Sequence, residues 1–145
     1  LLNQLDIKGK ILDVGCGTGL LWDHLGPMNG GYLGIDISYK MLERFKEKHD
    51  DPFVLCCPMM DFYATQRYNT ILALFGTGSY LKDLELERIK YLLAKGGKAY
   101  VMMFQDGYHP VTHRKAGIEV PYYNHEPDGF KVEKFDEFDI FIYER

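Results

Sequence analysis

Short runs of branched apolar residues alternate along this chain with stretches in which apolar positions recur every three or four residues. The first run, Lys10-Ile-Leu-Asp-Val-Gly15, is followed by further glycines and predicts a buried strand entering a tight turn. Leu20, Leu21 and Leu25 predict a short helix, ended by Gly26-Pro27. Tyr32–Asp36 reads as a second strand. Ser38 is placed to cap the helix after it, with Met41, Leu42 and Phe45 inside and Glu43, Lys46, Glu47 and Lys48 outside. Phe53–Cys57 and Thr70–Phe75 read as the third and fourth strands. Leu84, Ile89, Leu92 and Leu93 then repeat at helical spacing up to Lys95-Gly96-Gly97, and Ala99–Phe104 reads as a fifth strand. Residues 105–128 carry Gly107, Pro110, Gly117, Pro121 and Pro127 and read mostly as loop. Phe130–Phe135 and Phe138–Tyr143 close the pattern as two strands joined by a very short turn at Asp136-Glu137.

Alternating strands and helices predict a parallel sheet with helices on both faces, and the closing pair predicts an antiparallel last strand. The expected architecture is an α/β fold with a doubly wound, mostly parallel seven-stranded sheet, in one domain spanning residues 1–145. Composition agrees, since 46% of the 145 residues are hydrophobic and 26% charged, enough for a sizeable core. Charge narrows the partners: 17 Lys and Arg against 21 Asp and Glu give a formal net charge of -4, which argues against a general nucleic-acid binder. Cys16, Cys56 and Cys57 are odd in number, and two are adjacent, so they form neither a disulfide framework nor a zinc spacing. Reduced, mostly buried thiols in a cytoplasmic protein without a metal are expected. No stretch approaches the roughly 18 apolar residues of a membrane span, and no charged-then-apolar leader opens the chain.

The chemistry concentrates at Asp13-Val14-Gly15-Cys16-Gly17-Thr18-Gly19. Glycines at alternate positions after a buried strand let the backbone turn sharply, and let a ligand approach the main chain without meeting a Cβ. A dinucleotide site needs its third glycine at position 20, where Leu20 stands. A phosphate loop needs Gly-Lys-Ser or Gly-Lys-Thr, and neither is present.

Ile11-Leu-Asp-Val-Gly-Cys-Gly-Thr-Gly19 resembles the first motif of the class I S-adenosylmethionine-dependent methyltransferases of small-molecule type. That donor carries an amino acid, a sulfonium cation and a nucleoside but no phosphate, so a glycine loop with acidic neighbours suits it. The resemblance implies a Rossmann-like methyltransferase fold. It implies that Asp13, Gly15, Cys16, Gly17 and Gly19 surround S-adenosylmethionine. It further implies that Asp36, in Gly34-Ile-Asp-Ile-Ser38, accepts from both ribose hydroxyls and that Ile37 packs on the adenine. In Met60-Asp61-Phe62, Asp61 would take the adenine amino group and the Phe62 backbone N–H a ring nitrogen, with Met60 beside them and Leu74 at the end of the fourth strand. Tyr91-Leu-Leu-Ala-Lys-Gly-Gly97 resembles the family's stretch before the fifth strand, with Lys95 in place of its proline. Asn69 replaces a common acid, and Asp128-Gly-Phe130 resembles the opening of the sixth strand. The resemblance runs from Lys8 to Arg145. Only Leu1–Gly9 stand where the family has one or two helices, so the N-terminal helices and the substrate cap are expected to be abbreviated, with an open site or a lid from another segment or subunit.

Methyl transfer to a nucleophile is an in-line displacement with an already activated donor. The protein's main task is alignment, with a base only where the nucleophile must lose a proton. Candidates fall at the carboxyl edge of the sheet: Tyr80 and His109 as catalytic residues, with Tyr108, His113, Tyr122, Tyr123 and His125 nearby. The Gly76–Tyr80 loop and residues 105–125 are expected to wall the acceptor site. Leu74-Phe-Gly-Thr-Gly-Ser79 lacks the Pro-Pro-aromatic motif of DNA amino methylation and the Pro-Cys of cytosine carbon methylation. A small-molecule acceptor is therefore expected, with nucleic acid disfavoured and a homo-oligomer or partner chain as one source of a lid. The rival readings are a non-catalytic cofactor-binding or scaffold module, and an aminopropyl transferase, whose acidic cluster after the fourth strand is missing here.

Overall fold

The computed structural model of the chain describes residues 1–26, 31–105 and 125–145. Among them, β1 (Ile11–Val14), β2 (Tyr32–Asp36), β3 (Val54–Cys56), β4 (Tyr68–Ala73), β5 (Leu93–Phe104), β6 (Lys131–Lys134) and β7 (Phe138–Glu144) form one sheet in the order β3-β2-β1-β4-β5-β7-β6. β1 to β5 are parallel, β7 runs antiparallel to β5, and β6 runs antiparallel to β7. This is the doubly wound, mostly parallel seven-stranded α/β sheet that the sequence predicts. The strand order reverses between β1 and β4, so the crevice for a ligand opens at their carboxyl ends.

β1 is buried along its whole length, as a central parallel strand must be, and side chains on its two faces feed two cores. On one face Leu12, Val14, Ile35 and Ile71 meet Leu86, Ile89 and Leu92 of α3 (Asp83–Leu92). On the other, Ile11, Tyr32 and Leu72 meet Leu21 and Trp22 of α1 (Leu20–Leu25) and Leu42 and Phe45 of α2 (Tyr39–Lys48). Ser38 caps α2 as expected, its Oγ accepting from the Met41 N–H at 3.4 Å. Trp22, Tyr32 and Phe45 pack edge-to-face with centroids 5.0 to 6.4 Å apart. Burying one such ring contributes about 1.5–3 kcal/mol. The Phe45 ring also lies directly under Gly19, so this cluster supports the glycine loop from below.

Several boundaries differ from the sequence reading. β4 begins at Tyr68 and ends at Ala73, because the chain after Leu74 turns sharply. β3 keeps only Val54–Cys56 of the expected run. α3 stops at Leu92: Leu93 pairs with Tyr68 and is fully buried, so β5 starts where helical spacing suggested another turn. Leu84, expected inside, is 72% exposed, and the buried stripe runs through Leu86, Ile89 and Leu92 instead. Of the cysteines, Cys16 is buried but Cys56 is exposed, which corrects the expectation of mostly buried thiols.

Candidate active site

The loop after β1 passes through Gly15, Gly17 and Gly19 at φ of 72°, 54° and 90°, all in the left-handed region that glycine alone enters cheaply. The three have different neighbours. A Cβ on Gly15 would overlap the Thr77 side chain, and one on Gly19 would overlap the Phe45 ring. A Cβ on Gly17 would meet no protein atom within 4 Å. Gly17 is thus the member of the loop whose backbone faces open space; the other two are glycines because the protein itself fills their space. The loop is sewn to β2 by the Gly15 and Cys16 N–H groups, both donating to the Ile35 carbonyl at 2.8 and 3.1 Å.

Asp36, at the end of β2, closes the same corner. Its Oδ2 accepts from the Gly17 N–H at 2.8 Å and its Oδ1 from the Ser38 N–H at 2.8 Å. A carboxylate offers about four acceptor positions, so two remain for a ligand. Beside it Ile37 is 77% exposed, and across β3 Met60 is 43% exposed. Asp61 is exposed on the 3-10 turn Met59–Asp61, while the Phe62 ring is buried in the core and its N–H makes only a long 3.4 Å bond to the Met59 carbonyl.

Other predicted residues lie elsewhere. Asp13 is 5% exposed and accepts from the Tyr32 hydroxyl at 2.7 Å, so its carboxyl sits beneath the loop and not in it. Burial raises its pKa to about 7; the Tyr32 hydrogen bond opposes this and the Asp36 charge adds to it. Burial likewise pushes the Cys16 thiol and the Tyr32 hydroxyl up. The Cys16 side chain is 6% exposed, so only its backbone belongs to the loop's surface. Leu74 is 3% exposed and its side chain packs in the core, so any contact with a ligand there would come from its backbone. The exposed residue at the end of β4 is its neighbour Phe75, at 47%, which the sequence reading passed over.

The 3-10 turn Thr77–Tyr80 brings the expected acceptor wall against the glycine loop through the contact of Thr77 with Gly15. Ser79 is completely buried, and its Oγ accepts from the Phe104 N–H at 2.7 Å, fixing the turn to β5. Tyr80 is half-buried on this turn. A cleft of about 580 Å³ opens beyond Phe104, with Gln105, His125, Glu126 and Asp139 among its lining. His125 Nε2 lies 2.9 Å from Asp83 Oδ1. The candidates Tyr108, His109, His113, Tyr122 and Tyr123 lie outside the described residues. Among the described residues no three His, Cys, Asp or Glu stand where they could hold a metal, and no helix is long and apolar enough to cross a membrane.

A crevice at the β1/β4 reversal, a glycine loop clasped by the acid of β2 and a seven-stranded sheet with its last strand reversed define the class. The chain belongs to the methyltransferase-domain family, which it matches over residues 12–99. It is 29% identical over 76 residues to the dTDP-3-amino-3,4,6-trideoxy-alpha-D-glucopyranose N,N-dimethyltransferase of Streptomyces venezuelae, covering 52% of this chain and 32% of that protein. A second sugar N,N-dimethyltransferase, from Streptomyces fradiae, is 30% identical over 84 residues, 54% of this chain and 33% of that one. The match thus spans about a third of the length of each of these two relatives. In fold it resembles the crystal structure of Streptomyces venezuelae DesVI, with a TM-score of 0.61 at 24% identity over 70% of this chain and 46% of that one. A structure from Listeria monocytogenes gives 0.68 at 17% identity over 94% of this chain and 91% of its own.

Proposed function

We propose that the chain transfers a methyl group from S-adenosylmethionine to a small-molecule acceptor. The observation that carries this reading is the Asp36 corner: a carboxylate oriented by two backbone N–H groups with acceptor positions to spare, beside the one glycine of the loop that faces open space. Asp36 would hold the ribose hydroxyls. Exposed Ile37 and Met60 would cover the two faces of the adenine, and Asp61 with the Phe62 N–H would meet its polar edge. Asp13, Cys16, Gly15 and Gly19 keep the loop in shape from beneath. S-adenosylmethionine, when bound, supplies an electrophilic methyl group on a sulfonium, so the protein's own contribution is alignment and exclusion of water. Tyr80 stands on the acceptor side, and His109 is the proposed base for an acceptor that must shed a proton. The activities of the two sugar N,N-dimethyltransferases favour an amine of a small molecule as the acceptor. A lid from another segment or a second chain, and a reducing cytoplasmic setting suited to three free thiols, belong to the same proposal.

Calorimetric titration of the wild type and of Asp36→Ala tests it. Wild type should bind S-adenosylmethionine and S-adenosylhomocysteine and not NAD. Asp36→Ala should lose at least tenfold in affinity for both, since charge-assisted hydrogen bonds are each worth about 1.5–3 kcal/mol. Binding of NAD alone would overturn the reading. Donor binding without turnover of any amine, hydroxyl or carbon acceptor would favour a non-catalytic module.

A further inference from the structure

Phe75 is one of two non-glycine residues with positive φ among the described residues, at 54°, and the other, Asp51, lies in the exposed bend that leads into the amino end of β3. A left-handed backbone is costly for an aromatic residue, and such strain persists only where the surroundings over-determine it. They do so here. Gly76 follows at φ 95° with its Cα pressed on the Phe104 ring, and the Thr77 N–H returns to the Leu74 carbonyl at 3.2 Å. Gly78 packs against the Met102 carbonyl, and Ser79 holds the Phe104 N–H. The strain does not serve the core, because the Phe75 ring is 47% exposed between two residues, Leu74 and Gly76, that are buried.

The sheet order says what the ring faces. On the methyl-donor reading, on which this inference rests, the ribose sits at the end of β2 on Asp36 and the adenine lies toward β3, over Ile37 and Met60. The remainder of the donor must therefore run the opposite way, across the glycine loop of β1 toward the end of β4. Thr77, two residues beyond Phe75, touches Gly15 of that loop. After the glycine loop itself, where Leu20 is also exposed, the exposed large side chain at the end of β4 is Phe75. We propose that the Phe75 ring lies against the sulfonium end of the donor and recognises its positive charge, so that the charged donor is held in preference to the neutral thioether product. A cation over or beside an aromatic ring is attracted by the ring quadrupole, and a neutral thioether loses that attraction. The strained backbone is then the means of turning the ring out of the core and into the crevice. It also makes the residue a specificity determinant for donor over product, assisting release after each transfer.

The test uses the whole chain and two probes, S-adenosylmethionine and S-adenosylhomocysteine, titrated into wild type, Phe75→Leu and Phe75→Gly. Phe75→Leu keeps an apolar side chain and removes the π face. Its affinity for S-adenosylmethionine should fall about threefold to tenfold while S-adenosylhomocysteine stays within about twofold. Phe75→Gly should show the same selective loss, with a urea midpoint no lower than wild type, because glycine relieves the left-handed strain. Equal loss of both probes, or no loss of either, overturns the proposal. So does a marked fall in midpoint for Phe75→Gly, which would make the ring a core residue. If the wild type binds neither probe, the methyl-donor reading fails first and this inference falls with it; selective failure in the variants alone leaves that reading standing.

Discussion

At the end of β1 the chain turns through three glycines, and at the end of β4 it turns through a phenylalanine and a glycine. Both turns enter the left-handed region, and both lie at the carboxyl edge where strand order reverses. On the β1 side every side chain that could intrude has been removed: two glycines make room for Thr77 and Phe45, and the third leaves open space. On the β4 side an aromatic side chain is kept at a position where glycine would be relaxed. On the proposed function the two edges would present different things: backbone close to the donor after β1, where a Cβ would intrude, and a ring against its sulfonium end after β4, at the cost of left-handed strain.

The largest expected effect separates the glycines within the β1 loop. Gly15→Ala adds a Cβ into the Thr77 side chain at a φ of 72°, so overpacking and left-handed strain act together and stability should fall by about 3 kcal/mol. Gly17→Ala meets no protein atom and should cost only about 1 kcal/mol of strain. Its donor affinity should nevertheless fall more than tenfold. Urea denaturation and calorimetry on the two variants check this. Equal destabilisation would mean that the loop is wholly structural.

Asp13 gives the β1 side a pH signature of its own. Burial first, with the Asp36 charge assisting, raises its pKa from 3.8 to about 7 in the fold. The folded chain therefore binds a proton more tightly than the unfolded one between about pH 4 and pH 7. This contribution to stability is full below pH 4, declines as pH rises toward 7, and is absent above it. Asp13→Asn keeps the acceptor for the Tyr32 hydroxyl without the charge. Its stability relative to wild type should rise across that window and then level. A flat difference between pH 4 and pH 8 would place a compensating cation beside the carboxyl.

The sequence carried the sheet and the donor corner because both are written in short local patterns. Short continuous runs of branched apolar residues specify the strands, a period-3.6 pattern specifies α2, and Gly15-x-Gly17-x-Gly19 with Asp36 is a contiguous or nearly contiguous signal. The three glycines look equivalent in the sequence, however, and only packing distinguishes them: Phe45 and Thr77 come from 26 and 62 positions away from their respective partners. The direction in which Leu74 and Phe75 point was illegible for a related reason. A strand continued through Leu74 and Phe75 alternates its faces, but the left-handed step at Phe75 breaks that alternation, and no residue type announces it. The end of α3 is illegible because sheet pairing of Leu93 with Tyr68 outweighs helical propensity.

The smallest expected effect probes how the β4 turn holds its ring. Ser79 is fully buried, and its Oγ accepts from the Phe104 N–H at 2.7 Å. Ser79→Ala removes that acceptor, and with it one hydrogen bond, with almost no change in volume, which costs about 1 kcal/mol. The same hydrogen bond is one of the restraints that keep Gly76 on Phe104 and Phe75 in its left-handed conformation, so the ring should relax once it is gone. Preference for S-adenosylmethionine over S-adenosylhomocysteine should therefore narrow by about twofold, with S-adenosylhomocysteine affinity unchanged because the Asp36 corner is untouched. Urea midpoints and paired titrations measure both quantities on one preparation. If stability falls and the donor preference stays at its wild-type value, the turn is a structural brace and the ring is positioned by Gly76 and Thr77 alone. If S-adenosylhomocysteine affinity falls as well, the two sides of the crevice are mechanically coupled through Thr77 and Gly15, and the contrast between them is one of residue type and not of independence.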